Sequence, residues 1–183
     1  MNLSNENRLL LYCAQTRIPE GVVLKVRKIL GSSLNWEEVL KPAFWHGIAP
    51  LLYDNLKNMQ KSHGVPENVM NKLKMAYYRT VAKNLCMYAE LRPILESLRE
   101  KDLEVVILRG AALAETVYDD MGLRPMGDID LLVKKEDLPH AEETIIALGY
   151  HFHGDMSPVR PPAPNVIHDP LCLLFCPFAC IHP

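Results

Sequence analysis

Apolar residues recur every three or four positions through the first hundred residues, and beyond them the helical period gives way to short unbroken apolar runs. In "ENRLLLYCAQ" Leu9, Leu10 and Cys13 fall on one face, behind Ser4 as an N-cap. "GVVLKVRKIL" is a short periodic segment closed by Gly31. "NWEEVLKPAFWHGIAPLLYDNLKNM" opens on Asn35 as a cap, with Glu37 and Glu38 suited to the positive end of a helix dipole. Pro42 and Pro50 predict that this stretch divides into short helices. Pro66 fits the first turn of the next helix, "PENVMNKLKMAYYRTVAKNLCMYAELRPILESLREKD". There Val69, Leu73, Ala76, Tyr77, Thr80 and Asn84 keep the spacing, and Pro93 predicts a kink or a split. Trp36, Phe44, Trp45 and Tyr53 read as helix-packing aromatics, and His46 as a helix-end or core histidine rather than a catalytic base.

The pattern then changes. "LEVVILRG" is a short β-rich run ending in glycine, which predicts a buried strand. "AALAETVYDD" returns to helix, and "MGLRPMG" is a loop. "DIDLLV" is a second strand, "KKEDLPHAEETIIALGY" a helix with a solvated start and an end marked by Gly149, and "YHFH" the possible beginning of a third strand. Strand, helix, strand, helix beside a helical region predicts an α+β fold: helices packed on a small mixed β-sheet with flanking helices. The chain divides accordingly into a helical region at 1–100, an α/β core at 101–155 and a tail at 156–183. The tail holds seven of the 14 prolines and only two charged residues, Arg160 and Asp169, with no amphipathic period. An irregular extension, out-of-frame translation and a reading frame cut short all fit it. Cys172, Cys176 and Cys180 recur there every four residues, but Pro177 interrupts them and no fourth ligand is evident, so they read as uncoordinated thiols.

Composition narrows the classes of function. A net charge of −2 offers no broad phosphate-neutralising surface, so nucleic acid is an unlikely partner. The N-terminus lacks the basic-then-apolar pattern of a secretory leader, and the longest apolar run is too short to span a bilayer. The expectation is a cytoplasmic chain without a membrane partner, its five cysteines free thiols in a reducing compartment.

Two charges then stand out. Asp128 and Asp130 interrupt what otherwise reads as a buried strand. Residues i and i+2 of a strand share a side, so the two carboxylates face together while Ile129 and Leu131 turn to packing. Close carboxylates repel each other and lose solvation on burial. A hard divalent cation, Mg²⁺ or Mn²⁺, resolves both problems, and such ions are commonly held by a few carboxylates plus phosphate oxygens. A solvated strand end is the commoner meaning of an isolated D-x-D. Here, however, Gly110 ends the preceding strand and begins a helix whose first amides suit a phosphate, and Arg124 adds a cation in the loop. His151 and His153 alternate on the possible third strand, and read as surface histidines before metal ligands.

The run "LRGAALAETVYDDMGLRPMGDIDLLV", with "LGY" some way on and "AFWHGIAPLLYDNL" upstream, resembles the uncharacterised bacterial nucleotidyltransferases, in the superfamily whose fold is like that of DNA polymerase beta. The likeness covers about residues 35–155. It implies transfer of a nucleoside monophosphate from a nucleoside triphosphate such as ATP to an unknown acceptor, a small molecule or a protein. It implies that Asp128 and Asp130 act in catalysis as the metal ligands. Gly110 and Ala111 would contact the phosphates through backbone amides, and Arg109 and Arg124 would offset phosphate charge. The alternatives for the two arginines are a surface residue at a strand end and a loop salt bridge from Arg124 to Asp119 or Asp120.

Two positions depart from the superfamily pattern. Ala111 and Ala112 follow the glycine where a second glycine or a serine is usual, which removes a hydroxyl but leaves the amides. The resemblance also implies a third carboxylate on a later strand, and the chain offers only Asp155 and Asp169 there. The second reading is therefore a catalytically impaired or truncated relative that serves as a nucleotide-binding or protein-interaction module. The third is a helical scaffold whose D-x-D is purely structural.

Overall fold

The computed structural model describes residues 3–57, 59, 64–150 and the strand at 172–175. The fold is α+β, with seven α-helices and three strands among the described residues. No helix among the described residues is long and apolar enough to cross a membrane. The chain divides into two compact units: residues 1–84 with 113–126, and residues 85–112 with 127–183.

The first unit is helical. Helices α1 (Asn5–Cys13), α2 (Glu20–Leu30), α3 (Trp36–Trp45) and α4 (Ala49–Lys57) bury one face each in a common core that the N-terminal part of α5 (Glu67–Glu100) shares. Leu9, Val26, Val39, Leu56 and Leu73 are fully buried there. The predicted caps are in place: Ser4 Oγ accepts from the Asn7 amide, and the Asn35 side chain accepts from the Glu37 amide. Each satisfies one of the amides a helix start leaves unpaired. Gly31 follows α2 directly, and its amide reaches back to the Arg27 and Ile29 carbonyls.

The stretch at 35–59 does divide into two short helices, but the expected break at Pro42 and the expected split at Pro93 are corrected. Pro42 lies inside α3 and Pro93 inside α5, which runs unbroken over 34 residues. A helical proline frees the carbonyl four residues back. Here those carbonyls belong to Glu38 and Ala89, both exposed, so water can take the place of the missing N–H. The break after α3 comes at Gly47, whose φ of +68° is a left-handed conformation that a side chain resists. Pro50 lies in the first turn of α4, and Pro66 immediately before α5.

The second unit contains the rest of α5, with Met87, Leu91, Ile94 and Leu98 buried along one stripe. Asp102, at φ +58°, turns the chain out of α5, the Leu103 amide donating to the Leu98 carbonyl at 3.0 Å. Strand β1 (Val105–Leu108) follows, then α6 (Arg109–Thr116), β2 (Ile129–Val133), α7 (Leu138–Ala147) and β3 (Cys172–Phe175). The strand expectation is corrected in two respects, since β1 stops at Leu108 and is only partly buried, while Gly110 lies in the first turn of α6, the helix it was expected to begin. The sheet order is β1-β2-β3, with both described pairings antiparallel rather than mixed. Strand β3 comes from the stretch expected to be irregular, and its residues supply a second hydrogen-bonding edge for β2. The possible third strand at 150–153 lies outside the described residues beyond Tyr150.

Candidate functional site

The D-x-D pair is built on the middle strand of the sheet. Ile129, Leu131 and Val133 are buried on one side of β2, as the alternation predicts. Asp128 precedes the strand and is exposed, whereas Asp130 lies within it and is only 2% exposed. Asp130 pairs across the sheet with Leu108, the last residue of β1. The next residue, Arg109, is thus delivered to the carboxylate: its Nε stands 3.5 Å from Asp130 Oδ2. Asp130 Oδ1 is buried with no hydrogen-bond partner.

Such an arrangement is electrostatically uncomfortable. Burial pushes the Asp130 carboxyl above the usual carboxylate range, the Asp128 charge pushes it further, and Arg109 opposes both. A carboxylate with one oxygen unpartnered, beside a second exposed carboxylate, is a donor set that suits a hard divalent cation. Among the described residues, no cluster of three or more His, Cys, Asp or Glu side chains could hold a metal ion. Two carboxylates alone would leave most of a cation's coordination to other oxygens, which Mg²⁺ commonly takes from water and phosphate.

The other site residues fall in two groups. Gly110 and Ala111 occupy the first turn of α6, directly after Arg109. Tyr88 of α5 donates from its hydroxyl to the Ala111 carbonyl at 3.0 Å and so fixes that turn. Sequence reasoning missed this tyrosine because its ring fits the apolar stripe of a helix and only its hydroxyl reaches α6. Arg124 belongs to the first unit. Its carbonyl accepts from Asn84 Nδ2 at 2.8 Å, and its Nε is buried without a hydrogen-bond partner. The salt bridges considered for it are not formed: Asp119 pairs with Arg17 at 2.8 Å, and Asp120 accepts from the Tyr77 hydroxyl and the Gly122 amide. Asn84 also donates to the Met121 carbonyl at 2.6 Å, so α5 grips the loop ahead of the D-x-D strand by two polar side chains that its periodicity marks only as packing positions. His46 caps the C-terminal end of α3, as its helix-end reading has it. His151, His153, Asp155 and Asp169 lie outside the described residues, and β3 has no acidic residue.

Neither the comparison with curated proteins nor that with solved structures gives a match. A family model described as uncharacterised nucleotidyltransferase matches residues 32–170. That span takes in most of the helical region, the glycine turn of α6 and the whole D-x-D strand, and runs beyond residue 155, where the motif likeness ends. The chain therefore belongs to the uncharacterised nucleotidyltransferase family.

Proposed function

We propose that the second unit binds a nucleoside triphosphate with Mg²⁺ or Mn²⁺ and transfers its nucleoside monophosphate to an acceptor. The observation that carries this is the buried Asp130, with Oδ1 unpartnered, beside Asp128 and one strand residue across from the start of α6. Leaving a buried carboxylate oxygen unpaired costs stability, on the order of 1–3 kcal/mol or more for a charged group. Uncompensated costs of this kind gather at functional sites.

Each residue then has a task. Asp128 and Asp130 would hold the cation, which when bound supplies the positive charge that offsets the triphosphate. The amides of the first turn of α6 donate to phosphate oxygens, helped by the positive end of the helix dipole. Tyr88 keeps that turn in place. Arg109 adds a guanidinium at the same point. The acceptor oxygen attacks the α-phosphorus, the Pα–O bond to the β-phosphate breaks, and pyrophosphate leaves with that electron pair.

A specific observation favours a second reading, a relative that binds nucleotide but turns over poorly. Strand β3 pairs directly with β2, and opposite Asp130 it places Leu174 rather than an acid. The test separates binding from chemistry. Calorimetry with ATP and GTP in the presence of Mn²⁺ is expected to give binding in the intact chain and loss of at least tenfold in Asp128→Asn/Asp130→Asn. Pyrophosphate release then distinguishes transferase from binding module. Absence of binding in the folded intact chain overturns both and leaves the D-x-D as structure alone.

A further inference from the structure

Arg109 sits at the junction of strand and helix, at φ +49°, a left-handed conformation that side chains other than those of Gly, Asn and Asp rarely adopt. Strained backbone of this kind persists where the surroundings over-determine it, and it concentrates at ligand sites. The register places it at the carboxylate: Leu108 pairs opposite Asp130, and Arg109 is the next residue, the first of α6.

The ion pair itself is incomplete. An arginine can meet a carboxylate through two parallel N–H bonds at about 2.7–2.9 Å, whereas Arg109 Nε stands 3.5 Å from Asp130 Oδ2. The Asp130 side chain is 2% exposed while that of Arg109 is 75% exposed. One partner is held in place by the strand, and the other stands mostly in water, free to leave. The oxygen that Arg109 does not reach, Oδ1, has no partner at all.

We infer that Arg109 is a placeholder for the cation: it occupies the Asp130 carboxylate when the site is empty and turns to the polyphosphate when cation and nucleotide enter. This rests on the function proposed above and adds a coupling between its two ligands. A divalent cation arriving alone meets a guanidinium on its own ligand. With a triphosphate present the guanidinium has another anion to bind, so each ligand raises the affinity for the other. Arg109 is in this sense a positioning residue at Asp130 and a binding residue at the phosphates.

The measurement is Mn²⁺ binding to the full chain without nucleotide, followed through the paramagnetic resonance of the free ion. In Arg109→Gln the competing charge is gone, and Mn²⁺ alone is expected to bind about fivefold tighter or more. At saturating Mn²⁺ the same variant is expected to bind ATP more weakly than the intact chain. Arg109→Gly, which also relaxes the positive φ and so favours folding, is expected to repeat both shifts. Unchanged or weaker Mn²⁺ binding in the two folded variants overturns the placeholder. That result leaves the parent proposal standing if Mn²⁺ binding to the intact chain still depends on Asp128 and Asp130. No Mn²⁺ binding by any form without nucleotide overturns the placeholder, and nucleotide binding with Mn²⁺ present then decides the parent proposal by itself.

Discussion

Asp130 is the residue at which the proposed function and stability pull in opposite directions. Its carboxylate is enclosed by β2 and its neighbours, and burial and Asp128 both hold its pKa above the usual range. A folded-state pKa above the unfolded value means that the folded chain binds the proton more tightly. The charged form therefore costs stability above the folded pKa, and that cost fades as pH falls through it. Asp130→Asn removes the charge while keeping the shape, and is expected to stabilise the chain at pH 7 by about 0.5–2 kcal/mol. The difference should shrink towards zero as pH falls below the raised pKa, a trend that urea denaturation at several pH values measures. A destabilised Asn variant at pH 7 would show instead that the Arg109 pair outweighs the burial. The pair of aspartates was legible as a D-x-D motif at the start of a strand. That one is exposed and the other buried was not, because it depends on which strands flank β2.

At the scale of elements, α5 organises what precedes the D-x-D strand. Tyr77 and Asn84 lie on one face of it and hold Asp120, Met121 and Arg124 by their polar atoms. Between them the loop comes so close to the helix that only glycine fits. A Cβ built at Gly122 would stand 2.5 Å from Tyr77 Cε2 and 2.6 Å from Val81 Cγ2. Gly122→Ala is expected to destabilise the chain by about 1–3 kcal/mol, since both neighbours have to move in a packed setting. A thermal or urea melt checks this, and an unchanged midpoint would mean that the loop lifts away from α5 at little cost. The glycine was legible as a loop signal, but its close approach to a helix was not, because the contacting residues are 41 and 45 positions earlier. The prolines misled for a related reason. Pro42 and Pro93 are helix breakers only where the freed carbonyl cannot reach water, and exposure is a property of the packed molecule.

At the scale of the whole molecule, the sheet is assembled from distant parts of the chain. Strand β2 draws one edge from β1 and the other from β3, nearly forty residues further on. A chain ended at residue 170 keeps the full family match and loses β3. Its β2 amides are then expected to exchange hydrogen about tenfold faster, the equivalent of one or two ladder hydrogen bonds at ~1 kcal/mol each. Peptide-resolved exchange over Ile129–Val133 measures it, and equal protection would mean that β3 adds nothing to the sheet. What the sequence by itself determined is local: the caps at Ser4 and Asn35, the helical stripes, the end of α7 before Gly149, the shift from helical to strand period, and the alternation that buries Ile129, Leu131 and Val133 along β2. These follow from propensities and spacings that act over a few residues, and the family motif is written in the same short range. Only the tertiary structure decided that Asp130 is buried with one oxygen unpartnered, that Arg109 stands against it at a left-handed φ, that Tyr88 holds the first turn of α6 and Asn84 the loop at Met121 and Arg124, and that a proline-rich tail contributes a strand. Each of those depends on which distant groups meet and whether water is left between them, and no spacing along the chain encodes that.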